Sequence, residues 1–287
     1  MKPERLWRSV LAEWILEASD LWFGYEEHQP ILRGVTLRVP AGQFVALVGA
    51  NGSGKTTLLK QFNGLLRPQR GQVRVAGQDV AHRSVGEMAR QVGYLFQHPE
   101  QQIFSPTVWQ EVAFGPRNLG LSSSEVEDRV QEALARFGLN GVARLPPAVL
   151  GYGVRRRVTL ASLAAMDPPI LVLDEPTVGL DYAGLRETMA WIGELHASGR
   201  TIVLATHEMD LVAEHAERVL VLHEGQIAAD GPPADLFRQK ELLSRASLIP
   251  PPVVLLAEAL RPYSLQGESL SVEALCDEYV ALVKRRS

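Results

Sequence analysis

A single cysteine, Cys276, in 287 residues excludes a disulfide framework and any multi-cysteine metal site. Set in a helical stretch, it reads as a small apolar residue rather than a reactive thiol. Long apolar runs are missing too. The longest uncharged stretch, Val39–Gly54, is broken by Pro40, Gln43, Asn51 and glycines, so nothing in the chain reads as a bilayer span. Excess charge of one sign is also lacking. A net charge of −4 gives no net pull toward nucleic acid or anionic lipid, while leaving open a local basic patch. What remains is ordinary, with 46% hydrophobic and 22% charged residues, which excludes disorder, collagen and low-complexity fibres. A chain of this size buries about 75% of its unfolded surface and needs no staple for its core. Composition alone therefore reads as a soluble chain of one large or two modest domains.

Residues 1–14 hold no apolar signal core. Trp7, Leu11 and Trp14 stand at i, i+4 and i+7, which fits either a short amphipathic helix or a frayed extension. From Ile15 the pattern turns strand-like. Val35, Leu37 and Val39 alternate with Thr36 and Arg38, and Pro40-Ala41-Gly42 supplies a turn. Phe44–Val48 is a continuous apolar run of the kind buried on both faces of a sheet. A glycine-rich loop follows, then a helix from about Lys55. Gly71–Val75, Val92–Phe96, Ile170–Leu173 and Thr201–Ala205 read as further strands. Ser124 with Glu127 reads as a capping box before Val126, Val130, Leu134 and Phe137 at helical spacing, with Gly138 as the C′ residue. Val219–Leu222 and Gln226–Ala229, joined through Glu224-Gly225, read as a hairpin. Strands alternating with helices predict an α/β fold with a mostly parallel core sheet covered on both sides. The main domain spans 15–240. Residues 241–287 form a short C-terminal helical region broken by Pro250–Pro252; residues 253–287 read as two helices, with too few residues for an independent core, and are expected to dock on the main domain or on a partner.

Chemistry concentrates in two segments. Gly49-Ala50-Asn51-Gly52-Ser53-Gly54-Lys55-Thr56 matches a phosphate-binding loop, with Thr57 next in line on the helix. Its glycines let the backbone curl so that successive N–H groups converge on phosphate oxygens, and the helix start adds its positive dipole end. Lys55 suits the β- and γ-phosphates of a nucleotide, and the Thr56 hydroxyl suits a magnesium ion. A strand before this loop and a helix after it supply the required setting. The second segment is Ile170-Leu171-Val172-Leu173-Asp174-Glu175. A buried strand ending in two acids places them at the carboxyl edge of the sheet, where ligands bind in such folds. Asp174 would hold magnesium through water, and Glu175 would act on the attacking water as general base.

With these motifs in place, the chain from about Ile15 to Phe237 resembles the ATP-hydrolysing subunit of an ABC transporter, a P-loop NTPase with a helical subdomain. The resemblance implies ATP and Mg2+ as ligands and adds residue roles. Tyr25 matches the aromatic residue that stacks on adenine. Gln97 resembles the loop glutamine that touches magnesium and senses the membrane partner. Asp181, in Gly179-Leu180-Asp181, looks like the loop aspartate that crosses the dimer interface, and His207 like the switch histidine that contacts the γ-phosphate. Phe96-Gln97-His98-Pro99-Glu100-Gln101-Gln102-Ile103-Phe104, followed by Val112-Ala113-Phe114-Gly115-Pro116, is similar to energy-coupling factor ATPases, which power uptake of vitamins or of nickel and cobalt. The tail is similar too, in Pro251-Pro252-Val253-Val254 and in Leu270-Ser271-Val272-Glu273. The resemblance implies three partners: a paralogous ATPase, a transmembrane scaffold, and a substrate-binding membrane subunit. It places the chain peripherally, on the cytoplasmic face of the cell membrane.

One segment departs from the family. Leu-Ser-Gly-Gly-Gln stands here as Leu150-Gly151-Tyr152-Gly153-Val154, followed by Arg155, Arg156 and Arg157. In this family two subunits close head to tail, and each ATP lies between one phosphate loop and the other subunit's signature. Gly151 lacks the serine hydroxyl, and Tyr152 sets a bulky ring where close backbone approach is needed. By analogy with oxyanion-hole deletions, such losses cost about 2.7–4 kcal/mol of transition-state stabilisation. The weakened site holds the partner's ATP, which favours an asymmetric heterodimer; the alternative is a homodimer with two slow sites. Arg155–Arg157 read as a solvated helix face rather than a nucleic-acid contact. Two other functional classes stay open: another kind of ABC importer subunit, and a non-transport regulator without turnover. Glu175 argues against the regulator, since a non-hydrolysing site needs no placed base.

Overall fold

The computed structural model describes residues 14–263, 265 and 267–286, so the helix considered for Trp7 and Leu11 falls outside the described residues. Two strands open the described chain, β1 (Leu16–Phe23) and β2 (Leu32–Val39). After β3 (Phe44–Val48) and α1 (Lys55–Phe62) come β4 (Arg70–Val75), β5 (Gln78–Asp79), α2 (Val85–Met88) and β6 (Val92–Leu95). Three helices follow, α3 (Val108–Asn118), α4 (Ser123–Arg136) and α5 (Tyr152–Met166). The chain then alternates again through β7 (Ile170–Asp174), α6 (Tyr182–Ala197), β8 (Thr201–Ala205), α7 (Met209–His215), β9 (Arg218–His223) and β10 (Gln226–Gly231). Helices α8 (Pro233–Phe237), α9 (Lys240–Arg245), α10 (Pro252–Ala259) and α11 (Val272–Arg286) close it.

These strands form two sheets rather than one. The larger has the order β10-β9-β3-β8-β7-β6, parallel throughout except for the antiparallel hairpin strand β10. The smaller, β2-β1-β4-β5, is wholly antiparallel. Period-2 alternation divides the larger sheet between its two faces. Val45, Leu47, Ile170, Val172, Val203 and Ala205 face the antiparallel sheet and α1. Phe44, Leu171, Leu173, Ile202 and Leu204 face the helical side with α3, α4 and α5. Apolar on both faces, these strands are continuous runs with every residue buried. The split into two sheets follows from β2, whose exposed Arg33, Thr36 and Arg38 alternate with buried Val35, Leu37 and Val39, the pattern of a sheet wet on one side.

The capping box of α4 lies two residues before the predicted one. Ser122 Oγ accepts from Glu125 N while Glu125 accepts from Ser122 N, and both halves are closed. The sequence offers two such pairs, and the neighbours decide between them. With Ser122 as cap, Leu121 and Val126 occupy the staple positions and join the same apolar cluster; a Ser124 cap would put Ser123 there. Gly138 takes φ 63° just beyond the helix, as the C′ reading requires.

Past β10 the chain packs in two stages. Leu236, Phe237, Leu242, Leu243, Ala246 and Leu248 share a cluster with Ala46, Val48, Val219 and Val221, so α8 and α9 seal the outer face of the sheet. Beyond Pro251, α10 and α11 gather around a small cluster of their own, Ala257, Leu265 and Leu275. Cys276, beside Leu275, is exposed, so it does not fill the apolar role its helix suggested. Among the described residues, no helix is long and apolar enough to cross a membrane.

Candidate functional site

The phosphate-loop sequence leaves the middle of the sheet at the carboxyl end of β3. Gly49 has φ 152°, and a Cβ there would lie 2.1 Å from the carbonyl oxygen of Leu222, so only glycine lets the loop leave beside β9. At the end of the loop Gly54 takes φ 106° and precedes the first turn of α1. Lys55 Nζ donates back to the carbonyls of Gly49 at 2.7 Å and Ala50 at 3.1 Å. Burial pushes its pKa down, while the carboxylates of Glu175 and Asp174 pull it up.

The strand β7 delivers both acids next to this loop. Thr56 Oγ1 donates to Asp174 Oδ2 at 2.7 Å, and Tyr94 on β6 reaches the same oxygen at 3.4 Å. Burial raises the pKa of Asp174, against the opposing hydrogen bond from Thr56 and the charge of Lys55. Desolvation also raises that of Tyr94, so its hydroxyl keeps its proton. Glu175 has φ 51°, a left-handed conformation uncommon for a non-glycine residue and characteristic of functional turns. His207 Nδ1 lies 2.9 Å from Glu175 Oε1. The other carboxylate oxygen, Oε2, is buried without a hydrogen-bond partner, as is Ser53 Oγ in the loop.

Asn51, Gly52, Gly54, Lys55, Thr56 and Thr57 thus line one cleft of about 380 Å³ together with Gln97, Asp174 and Glu175. His207 borders it through Glu175. Tyr25 stands in the adjoining cleft, which shares Ile31 and Gly52 with the first. Its ring is exposed and meets Phe23 edge-on at 5.2 Å. Arg33 N donates to the carbonyl of Gly225 at 2.9 Å, which ties the antiparallel sheet to the β9–β10 hairpin along this side.

The signature segment lies elsewhere. Gly151 and Gly153, at the start of α5, line a separate cleft with Gly179, Leu180 and Asp181. Asp181 caps α6, its Oδ1 accepting from Gly184 N at 2.8 Å. The Tyr152 ring packs onto Gly179, where a Cβ would lie 2.1 Å from its Cε1. The structure therefore joins the expected residues into two groups within this chain. One holds the phosphate loop, Gln97, Asp174, Glu175 and His207; the other holds the signature turn with Asp181.

Two residues of the site escape the motif pattern. Tyr94 supports Asp174 from β6, and no periodicity marks it, since every residue of that strand is buried. Arg156 is the second. Instead of a solvated helix face, it is fully buried and donates to the carbonyls of Phe96, Asp174, Glu175 and Pro176. Three successive arginines on a helix stand 100° apart and cannot share one face. Arg156 lies four residues before buried Leu160, which marks it as the inward one.

The donor chemistry suits a nucleotide with a small hard cation. Among the described residues, no group of three or more His, Cys, Asp or Glu side chains could hold a metal ion alone. Thr56 and Asp174 present adjacent oxygens beside a basic loop, a set that suits magnesium when it is shared with phosphate oxygens and water.

Known proteins carry the same pattern. The ABC transporter family model matches residues 32–178. An energy-coupling factor transporter ATP-binding protein of Methanocaldococcus jannaschii is 43% identical over 249 residues, covering 86% of this chain and 89% of that protein. A protein of the same name from Methanothermobacter thermautotrophicus is 39% identical, covering 94% and 88%. Among solved structures, cbiO1 of Clostridium perfringens, part of the ABC transporter complex cbiONQ, superposes with a TM-score of 0.69 at 34% identity, covering 81% of this chain and 94% of that one. An ATP-binding cassette dimer in a post-hydrolysis state, bound to ADP and Pi, gives a TM-score of 0.69 at 25% identity, covering 76% and 98%.

Proposed function

The chain belongs to the ABC transporter ATPases, among the energy-coupling factor ATP-binding proteins, and from that premise we propose that it is the motor subunit of an importer for a vitamin or transition-metal ion. The observation that carries the reading is the Glu175 carboxylate. One oxygen is held by His207, and the other is buried with no partner on the wall facing the phosphate loop. A carboxylate in that position can accept a proton from water attacking a γ-phosphate.

The remaining roles follow from placement. Gly49, Asn51, Gly52, Ser53 and Gly54 offer backbone N–H groups to the phosphates of ATP, and Lys55 exchanges its carbonyl contacts for β- and γ-oxygens. Thr57, on the first turn of α1 and lining the same cleft, completes the nucleotide-binding set. Tyr25, exposed on the adjoining cleft, offers a ring face to adenine. Thr56, Asp174 and Gln97 would hold Mg2+, which supplies charge neutralisation at the phosphates. Tyr94 fixes the Asp174 carboxylate, and His207 orients Glu175 and stands exposed where a γ-phosphate would arrive. Gly151, Gly153 and Asp181 line the cleft that would meet a second subunit's ATP, beside Tyr152, whose ring rests on Gly179.

That division fits a head-to-tail dimer, and the degenerate Gly151-Tyr152-Gly153 signature supports a paralogous ATPase partner whose own signature is intact. ATP closes the dimer and hydrolysis reopens it, moving a transmembrane scaffold seated near the Gln97 loop. A separate membrane subunit binds the substrate, and this chain sits on the cytoplasmic face. ATPase activity of the purified chain alone, against the chain coexpressed with a paralogue and membrane subunits, tests the reading. Low activity alone and high activity in the assembly is expected. High activity from the lone chain would establish the homodimer instead.

A further inference from the structure

Arg156 is the bulkiest side chain with no exposed surface, one turn into α5. A buried guanidinium is tolerated only when its donors are satisfied, and its planar fork suits several acceptors at once. Nη1 donates to Phe96 O at 2.5 Å, Nε to Pro176 O at 3.1 Å, and Nη2 to Asp174 O at 3.4 Å and to Glu175 O. Phe96 immediately precedes Gln97, and Glu175 is held at positive φ. The same helix begins at the Gly151-Tyr152-Gly153 turn, about 6 Å away along its axis at 1.5 Å per residue. One side chain thus ties the helix that carries the signature turn to the backbone beside Gln97 and at Glu175, both of which line this chain's own cleft.

We propose that Arg156 is a positioning residue that couples the signature turn to the Gln97 loop and to Glu175. Contacts made by the turn across a dimer interface then bias the hydrolytic wall of the other site. The proposal rests on the assignment of Glu175 as base for its catalytic consequence, though not for the coupling itself. Coupling of this kind is reciprocal, so the state of the cleft also biases the turn. A shared hydrogen-bonded element is the physical link it needs.

Hydrogen exchange on the full-length chain tests it. Arg156→Met is expected to raise amide exchange at least tenfold in both 97–104 and 175–181. Arg129 serves as the control, because its Nη1 donates to the carbonyls of Ala165 and Met166 at 3.3 Å each, at the opposite end of α5. Arg129→Met should leave both loops within twofold of the parent. Matching patterns from the two variants, or a rise confined to α5, would overturn the proposal. Arg156→Lys covers the case in which the methionine variant does not fold: at least a threefold rise in the 97–104 loop is expected, and parental protection there counts against the coupling. In the assembled ATPase, Arg156→Lys should lower kcat at least fivefold with KM within threefold, whereas an equal rise in KM would mark a binding role instead. If Glu175→Gln leaves hydrolysis intact, the base assignment fails while the exchange pattern still decides the role of Arg156.

Discussion

The hydrolytic cleft and the signature turn are two halves of one machinery, and this chain maintains them unequally. In the cleft, Lys55, Thr56, Asp174, Tyr94, Glu175 and His207 are locked to one another or to loop carbonyls. In the turn, Gly151 is exposed with nothing within 4 Å of a built Cβ, and Tyr152 is spent on packing against Gly179. Interlocked polar groups resist piecemeal change, because loss of one strands its buried partner. At exposed Gly151 no such penalty applies, and that position can change without harm to the fold. What constrains the turn inside this chain is the contact of Tyr152 and Gly153 with Gly179.

The largest effect tests the intact half. Glu175→Gln should cut steady-state hydrolysis in the assembled ATPase by about 10²–10⁴-fold while ATP still binds. Unchanged turnover would remove Glu175 as the base. Next, rebuilding the turn with Gly151→Ser and Tyr152→Gly should raise hydrolysis by the lone chain by about 10²-fold, the scale of a restored transition-state donor. A much smaller gain is expected once an intact partner is present, and no gain in the lone chain would show that the turn does not limit it.

Gly179→Ala should destabilise the chain by about 1–3 kcal/mol in urea unfolding, since its Cβ meets the Tyr152 ring and its φ is +80°. Tyr152→Gly should recover the steric share and leave the backbone share; full additivity would show that the ring does not occupy that place. The smallest effect concerns pH. Burial raises the Asp174 pKa, so the folded state holds that proton more tightly than the unfolded one. Linkage then makes stability fall as pH rises from the ordinary aspartate range through the raised value. Asp174→Asn should flatten that slope in unfolding curves measured across the acidic range.

Much of this arrangement was legible before any coordinates. The phosphate loop and the Ile170–Glu175 strand are contiguous, and a local backbone path sets their geometry, so pattern alone located them. The parallel strands announced themselves as short apolar runs, because burial on both faces leaves no polar alternation. The second sheet was harder to see, since its strands pair across distant segments, β1 with β4, and local periodicity does not carry pairing partners. The α4 cap was misplaced because two serines compete, and the choice fell to the apolar residue in front. Arg156 was misread because charge suggests solvent, whereas helical phase pointed inward. Tyr94 left no local signal, as its role exists only through a neighbouring strand.

The tail has a consequence of its own. Helices α10 and α11 enclose only three buried side chains of their own, Ala257, Leu265 and Leu275, and the tail touches the sheet's outer cluster through partly buried Val254 and Leu270, whereas α8 and α9 are built into that face. So small a cluster opens at a fraction of the cost of global unfolding, as a separate cooperative unit. Limited proteolysis should therefore nick the chain near Ile249–Pro251 and release the last two helices first. The trimmed remainder would keep a closed nucleotide-binding body, and the tail would act as a detachable accessory with its own melting transition.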